Sequence, residues 1–151
     1  MTARRTATAI TAASITALLV WGGPAGAGGR PFEIALSGAE EVPPTDPGNA
    51  GFVRLTLNQG QEEICFEFGE LERVQGESLP FAGHIHEAER GAIVVPLFSP
   101  TTAPTIYPTE ERCVEADADL IKEIRQNPED YYVNLHNQQH PGGFIRGQLA
   151  D

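Results

Sequence analysis

The sequence predicts an all-β domain with one short helix, built as an antiparallel β-sandwich, and three observations predict it. From Phe32 onward, apolar and polar residues alternate in short runs, the period of a strand with one buried face. Clusters of Gly, Pro, Asp and Asn separate the runs and serve turns rather than sheet interiors. Seven or eight such runs in about 120 residues is the density of a two-sheet sandwich.

The elements follow in order. FEIALS, from Phe32, supplies a first strand, and EEVPPTDPGNAG, from Glu40 to Gly51, reads as a loop. FVRLTL and EEICFEF are the next strands. In the second, Ile64, Phe66 and Phe68 share one face, while Glu63, Cys65 and Glu67 share the other. FAGHIH follows, with Phe81 and Ile85 opposite His84 and His86. AIVVPLF carries Pro96, which has no N–H for a ladder and so favours a sheet edge or a bulge. The Pro- and Thr-rich stretch from Ser99 to Glu111 reads as a long crossing loop. The helix is expected from Asp117 to Gln126, with Asp117 as N-cap, an apolar stripe of Leu120, Ile121 and Ile124, and Pro128 as the stop. YYVNLH and GFIRGQL close the domain as a hairpin around the loop from Asn137 to Gly143, where Gly142, Gly143 and Gly147 serve turns and close backbone approach.

Residues 1–27 read as a secretory signal. Arg4 and Arg5 make a basic start, Ala7 to Val20 is apolar, and Ala25-Gly26-Ala27 fits a small-x-small cleavage site. The apolar run is shorter than the roughly 20 residues of a membrane span. Residues 28–151 then form one mature domain, secreted or periplasmic, without a membrane span after cleavage. Losing both arginines makes the net charge of −11 more negative by two. So acidic a chain argues against nucleic acid as a partner. Cys65 and Cys113 are its two cysteines, and an even count in an exported chain reads as one disulfide. The strand pattern around Cys65 places that disulfide on the outer face.

All four histidines fall in two tracts, His84-Ile85-His86 and His136-Asn137-Gln138-Gln139-His140. His84 and His86 are two apart on a strand and point to one face, as would Tyr132, Asn134 and His136 on theirs. Should the two strands be neighbours, His84, His86 and His136 form a site for copper or zinc, with His140 as a fourth donor. With both thiols oxidised, ligation would be all-nitrogen, which suits Cu(II) or Zn(II) and rules out a thiolate copper centre. The competing reading is a buried polar network, with the rings bonded to Asn134, Gln148 or backbone. Glu87 follows the pair but points to the opposite face. Asn134 and Arg146 read as residues that fix the final hairpin, Arg146 by pairing with Glu87 or another carboxylate. No residue is assigned a catalytic role: the mature chain has no serine in a nucleophile elbow and no phosphate-binding glycine loop.

The tracts ALSGAEEVPP, GFVRLTLN, GHIHEAERGAIVVPLF and YYVNLHNQQHPGGFIRGQL resemble the chordin-domain (CHRD) family, in order and over nearly all of the mature chain. The resemblance implies a small exported β-sandwich, immunoglobulin-like or superoxide-dismutase-like. It implies no catalytic set, and so a non-enzymatic binding or structural module whose protein or metal ligand is unknown. It does not bring the cysteine-rich modules that carry growth-factor binding in chordin. The shorter tract GHIHE is similar to the paired-histidine strand of copper-zinc superoxide dismutases. That second resemblance implies the alternative, a copper-dependent redox enzyme with Arg146 beside the metal as an anion guide. Four histidines are too few for both metals of those enzymes.

Overall fold

The computed structural model describes residues 29–100 and 107–150. The expected signal segment 1–27, and residues 101–106 of the expected crossing loop, lie outside the described residues.

Among the described residues, eight strands form one antiparallel sheet: β1 (Arg30–Ser37), β2 (Ala50–Asn58), β3 (Glu63–Phe68), β4 (Ala82–Glu87), β5 (Ile93–Phe98), β6 (Arg112–Glu115), β7 (Tyr131–His136) and β8 (Ile145–Gln148). Their order is β5-β4-β7-β8-β1-β2-β3-β6. The edge strands β5 and β6 approach one another, so the sheet curls into a nearly closed, sandwich-like barrel around one core. The all-β class with one short helix holds. The two expected sheets are continuous because β1 and β8 join them at Ser37↔Arg146.

Register follows from the alternation. Phe32 faces Leu55 and Ile34 faces Val53 across β1–β2, which puts all four inside. A one-residue slip would turn this set to solvent, and each large apolar side chain contributes about 1.5–3 kcal/mol by its burial. Ile64, Phe66 and Phe68 fill the core from β3, with Phe66 and Phe68 edge-to-face at 5.7 Å. Pro96 lies in β5, an edge strand, and opposite it the β4–β5 register shifts on both sides of the His84–Ile85 pair. Both expectations for that proline are met together.

The helix α1 (Ala118–Gln126) begins where Asp117 accepts hydrogen bonds from the Asp119 and Leu120 N–H groups. It buries Ile121 and Ile124 in the core. Strand β6 was not foreseen. RCVE has four residues with one inward apolar side chain, Val114, too little for a period to register. Its pairing places Cys113 directly opposite Cys65, and the two form the expected disulfide on the outer face of β3.

Strand β7 differs from the others in being buried on both faces. Val133 and Leu135 point into the core. Tyr132, Asn134 and His136 point outward, into a polar layer roofed by loops. One roof segment is the loop after β1, stitched down where Thr45 donates its hydroxyl to the Phe144 carbonyl at 2.7 Å. Another is the turn between β7 and β8. The candidate site lies in this layer.

Candidate metal centre

Strands β4 and β7 are antiparallel neighbours, with His84 opposite Asn134, His86 opposite Tyr132 and Ala82 opposite His136. Residues two apart share a face, so this register sets His84, His86 and His136 on one patch. One ring nitrogen from each can be chosen so that all three lie within 4.8 Å of one another. His84 Nδ1 is 3.1 Å from His136 Nε2.

Two of the rings are fixed by the backbone. His86 Nδ1 lies 2.9 Å from the Gly91 carbonyl and His136 Nδ1 lies 3.1 Å from the Pro141 carbonyl. A carbonyl can only accept, so both Nδ1 atoms carry the proton and both Nε2 atoms present a lone pair. In each case the carbonyl comes from five residues downstream, where the chain turns back. Gly91 makes the first turn possible: at φ +65 it occupies the left-handed region that suits glycine. The Glu87–Arg90 ion pair, at 2.8 Å, spans the same turn.

The lone pair on His86 Nε2 is buried and has no partner among the described residues. The groups that a buried network would offer it are engaged elsewhere. Asn134 Nδ2 donates to both oxygens of Glu41, at 2.9 and 3.0 Å, and Gln148 Nε2 donates to the Glu129 and Tyr131 carbonyls. His86 Nε2 is therefore a buried acceptor left without a donor.

Electrostatics keeps these lone pairs free of protons. Burial, and then the neighbouring rings of His136 and His86, push His84 down to about 4. Burial also lowers His86, against the pull of the Gly91 carbonyl, and lowers His136, against that of Pro141. Neutral imidazoles are the form that binds a metal. Three neutral nitrogens are a donor set that could hold zinc or copper(II), and the Nδ1 contacts to carbonyls are the outer contacts such ligands use.

His140 is not brought to this patch. Its Nε2 meets Glu77 Oε1 at 2.9 Å and its ring lies 6.0 Å from that of Phe144. Asn134 and Arg146 face each other across β7–β8, inside the final hairpin as expected. Arg146 does not pair with Glu87, whose carboxylate is taken by Arg90. Its guanidinium lies 3.4 Å from the Tyr132 ring centroid, and Tyr132 in turn stacks on His86 at 4.9 Å and 5°. Glu41 was not singled out from the sequence. Its carboxyl is buried and pushed up to about 7 by desolvation, despite its bond from Asn134 and the nearby Arg146. Its tract was conspicuous, but its partner lies 93 residues away.

A family model described as the CHRD domain matches residues 32–149. The chain belongs to the CHRD-domain family. The match runs from the inward Phe32 of β1 to Leu149 just past β8, so all eight strands and the polar layer belong to the CHRD domain. No curated protein and no solved structure matched the chain. The similarity of GHIHE to superoxide dismutases therefore gains no support beyond those residues. Among the described residues, no helix is long and apolar enough to cross a membrane.

Proposed function

We propose that this CHRD domain is an exported, non-enzymatic binding module that holds Cu(II) or Zn(II) on His84, His86 and His136. The observation that carries the reading is His86 Nε2: a buried, neutral nitrogen, aimed by the Gly91 carbonyl and without a hydrogen-bond partner among the described residues. Leaving such an acceptor unsatisfied costs about 1–3 kcal/mol, which a metal ion would recover. His136 Nε2 is aimed in the same way, and His84 adds the third nitrogen. The all-nitrogen set favours Cu(II) over Cu(I) and also suits Zn(II). A bound ion would supply a fixed positive charge and an open coordination position in an otherwise acidic molecule, where a partner's donor group can attach.

Export is supported by the basic and apolar character of residues 1–27 and by the disulfide, which is favoured outside the cytoplasm. The domain's family is of extracellular type, which points the same way.

Elemental analysis of protein purified without chelator tests the site, followed by Cu(II) and Zn(II) titration of the wild type and the His84→Ala, His86→Ala double variant. The wild type is expected to bind one equivalent and the double variant none. Equal binding by both would make the histidines structural. Superoxide dismutation by copper-loaded protein, lost in His84→Ala, would make the module an enzyme.

A further inference from the structure

The turn between β7 and β8 is held together by one buried side chain. Asn137 follows His136 directly and is fully buried. Its Oδ1 accepts from the His140 N–H at 2.7 Å, which closes the turn on itself. Its Nδ2 donates outward, to Glu77 Oε2 at 2.7 Å and to the Ser78 carbonyl at 3.3 Å. Glu77 answers from the other side of the turn, where its second oxygen accepts from His140 Nε2 at 2.9 Å. The segment carrying Glu77 is clasped further where Ser78 donates its N–H and hydroxyl to Gln139 Oε1, at 3.1 and 2.7 Å. These bonds fix the path of residues 137–140, and the next carbonyl is that of Pro141, 3.1 Å from His136 Nδ1.

We propose that Asn137 and Glu77 are positioning residues for the histidine site: they hold the turn so that the Pro141 carbonyl locks His136 in its Nδ1–H tautomer, with Nε2 turned toward His84. The inference deepens the metal-binding reading above and rests on it for its consequence, though the tautomer itself exists without metal. The physical link is short. A neutral imidazole carries one proton, and the acceptor it meets decides which nitrogen holds it. If the turn slackens, the Pro141 carbonyl leaves, the proton is free to move to Nε2, and a ligand lone pair is lost. His86 provides an internal control, because its Gly91 carbonyl belongs to the separate turn between β4 and β5.

The test reads both tautomers in metal-free protein by imidazole ¹⁵N spectra, and affinity by Zn(II) titration. In the wild type both His86 and His136 are expected as Nδ1–H. Asn137→Asp sets two carboxylates face to face, so His136 should become a tautomer mixture while His86 stays unchanged. Zn(II) affinity should fall roughly 10- to 100-fold, the usual effect of disturbing an outer contact of a ligand. Adding Glu77→Gln to Asn137→Asp reverses donor and acceptor across the same contact and should restore most of both signals. Glu77→Ala alone acts from the outer end of the clasp and should shift His136 in the same direction, which keeps the test open if Asn137→Asp does not fold. A His136 that remains wholly Nδ1–H in either folded single variant overturns the inference, as does a His86 that shifts equally. Wild-type protein that binds no Zn(II) or Cu(II) removes the metal reading instead, and the tautomer result still decides the role of Asn137 and Glu77.

Discussion

His84 Nδ1 and His136 Nε2 meet at 3.1 Å although 52 residues separate them in the chain. Because the Pro141 carbonyl holds the proton of His136 on Nδ1, its Nε2 accepts, and His84 must donate from its own Nδ1. The metal-free patch therefore has one ring, His84, standing as a cap on the lone pair of another. Among the described residues, backbone carbonyls of the two turns fix His86 and His136, whereas His84 meets another ring.

This predicts that the three ligands respond differently to Zn(II). His84 must give up its N–H contact with His136 and expose a lone pair, so its ¹⁵N signals should move by a tautomer change or a ring rotation. His86 and His136 should keep the Nδ1–H tautomer throughout. His84→Ala should weaken Zn(II) binding by at least about tenfold while leaving both of those tautomers intact. A titration in which all three rings change tautomer would contradict the arrangement.

His86→Phe separates a ligand from a structural residue. Phenylalanine keeps a ring over Tyr132, where the imidazole now stacks at 4.9 Å, and removes the buried unpaired nitrogen. Losing the unsatisfied nitrogen costs nothing, while the lost Nδ1–H bond to the Gly91 carbonyl, on an exposed turn open to water, contributes about 0.5–1.5 kcal/mol. In the presence of chelator, the variant should denature within about 1.5 kcal/mol of the wild type by guanidinium titration, yet bind no metal. A loss well above that figure would mean that the imidazole holds the fold together.

Most of the fold was legible because its strands alternate cleanly and each buries one face, as Ile64, Phe66 and Phe68 do. RCVE failed that test, since an edge strand with one inward residue carries no period. The histidine set was legible up to the neighbour relation: period two fixed His84 and His86 on one side, and His136 on another strand. That β4 lies beside β7 is a long-range pairing with no local signal. His140 was expected as a fourth donor because it is an imidazole four residues from His136, but the turn that brings Pro141 to His136 carries His140 away to Glu77. Glu41 was illegible for the same reason as the pairing, since a buried carboxyl is recognised by its partner and Asn134 is distant in sequence.

The disulfide is predicted to support stability from the unfolded side. It links directly opposed residues of β3 and β6 and closes a separation of 48 residues. The chain-entropy account gives up to about 4 kcal/mol for a loop of that size. The Cys65→Ser, Cys113→Ser variant should therefore lose about 2–4 kcal/mol in guanidinium denaturation and keep its strand content. Thiol counting on denatured wild-type protein from its native compartment should find no free thiol before reduction and two after. Two free thiols before reduction would remove the bridge from the functional protein.

Stability of the metal-free protein should pass through a maximum in pH, with the two sides set by different groups. The three histidines titrate at 6.5 when unfolded and lower when folded, His84 at about 4. The unfolded chain then binds more protons below 6.5, so their contribution is complete above that value and is lost as pH falls. Glu41 runs the other way. Its carboxyl titrates at 4.5 unfolded and at about 7 folded, so the native state binds the extra proton. Its contribution is complete below 4.5 and is lost as pH rises through about 7. On the acid side the three histidines make stability rise with pH while Glu41 opposes them; once the unfolded-state histidines have lost their protons, above 6.5, the Glu41 contribution is still falling through about 7. Thermal unfolding in chelator should therefore give a Tm that rises with pH on the acid side and falls on the alkaline side, with its maximum above pH 6.5. Glu41→Gln keeps an amide beside Asn134 but cannot ionise, so it should flatten the fall on the alkaline side and steepen the rise between 4.5 and 6.5. An alkaline limb that persists in Glu41→Gln would show that another group sets it.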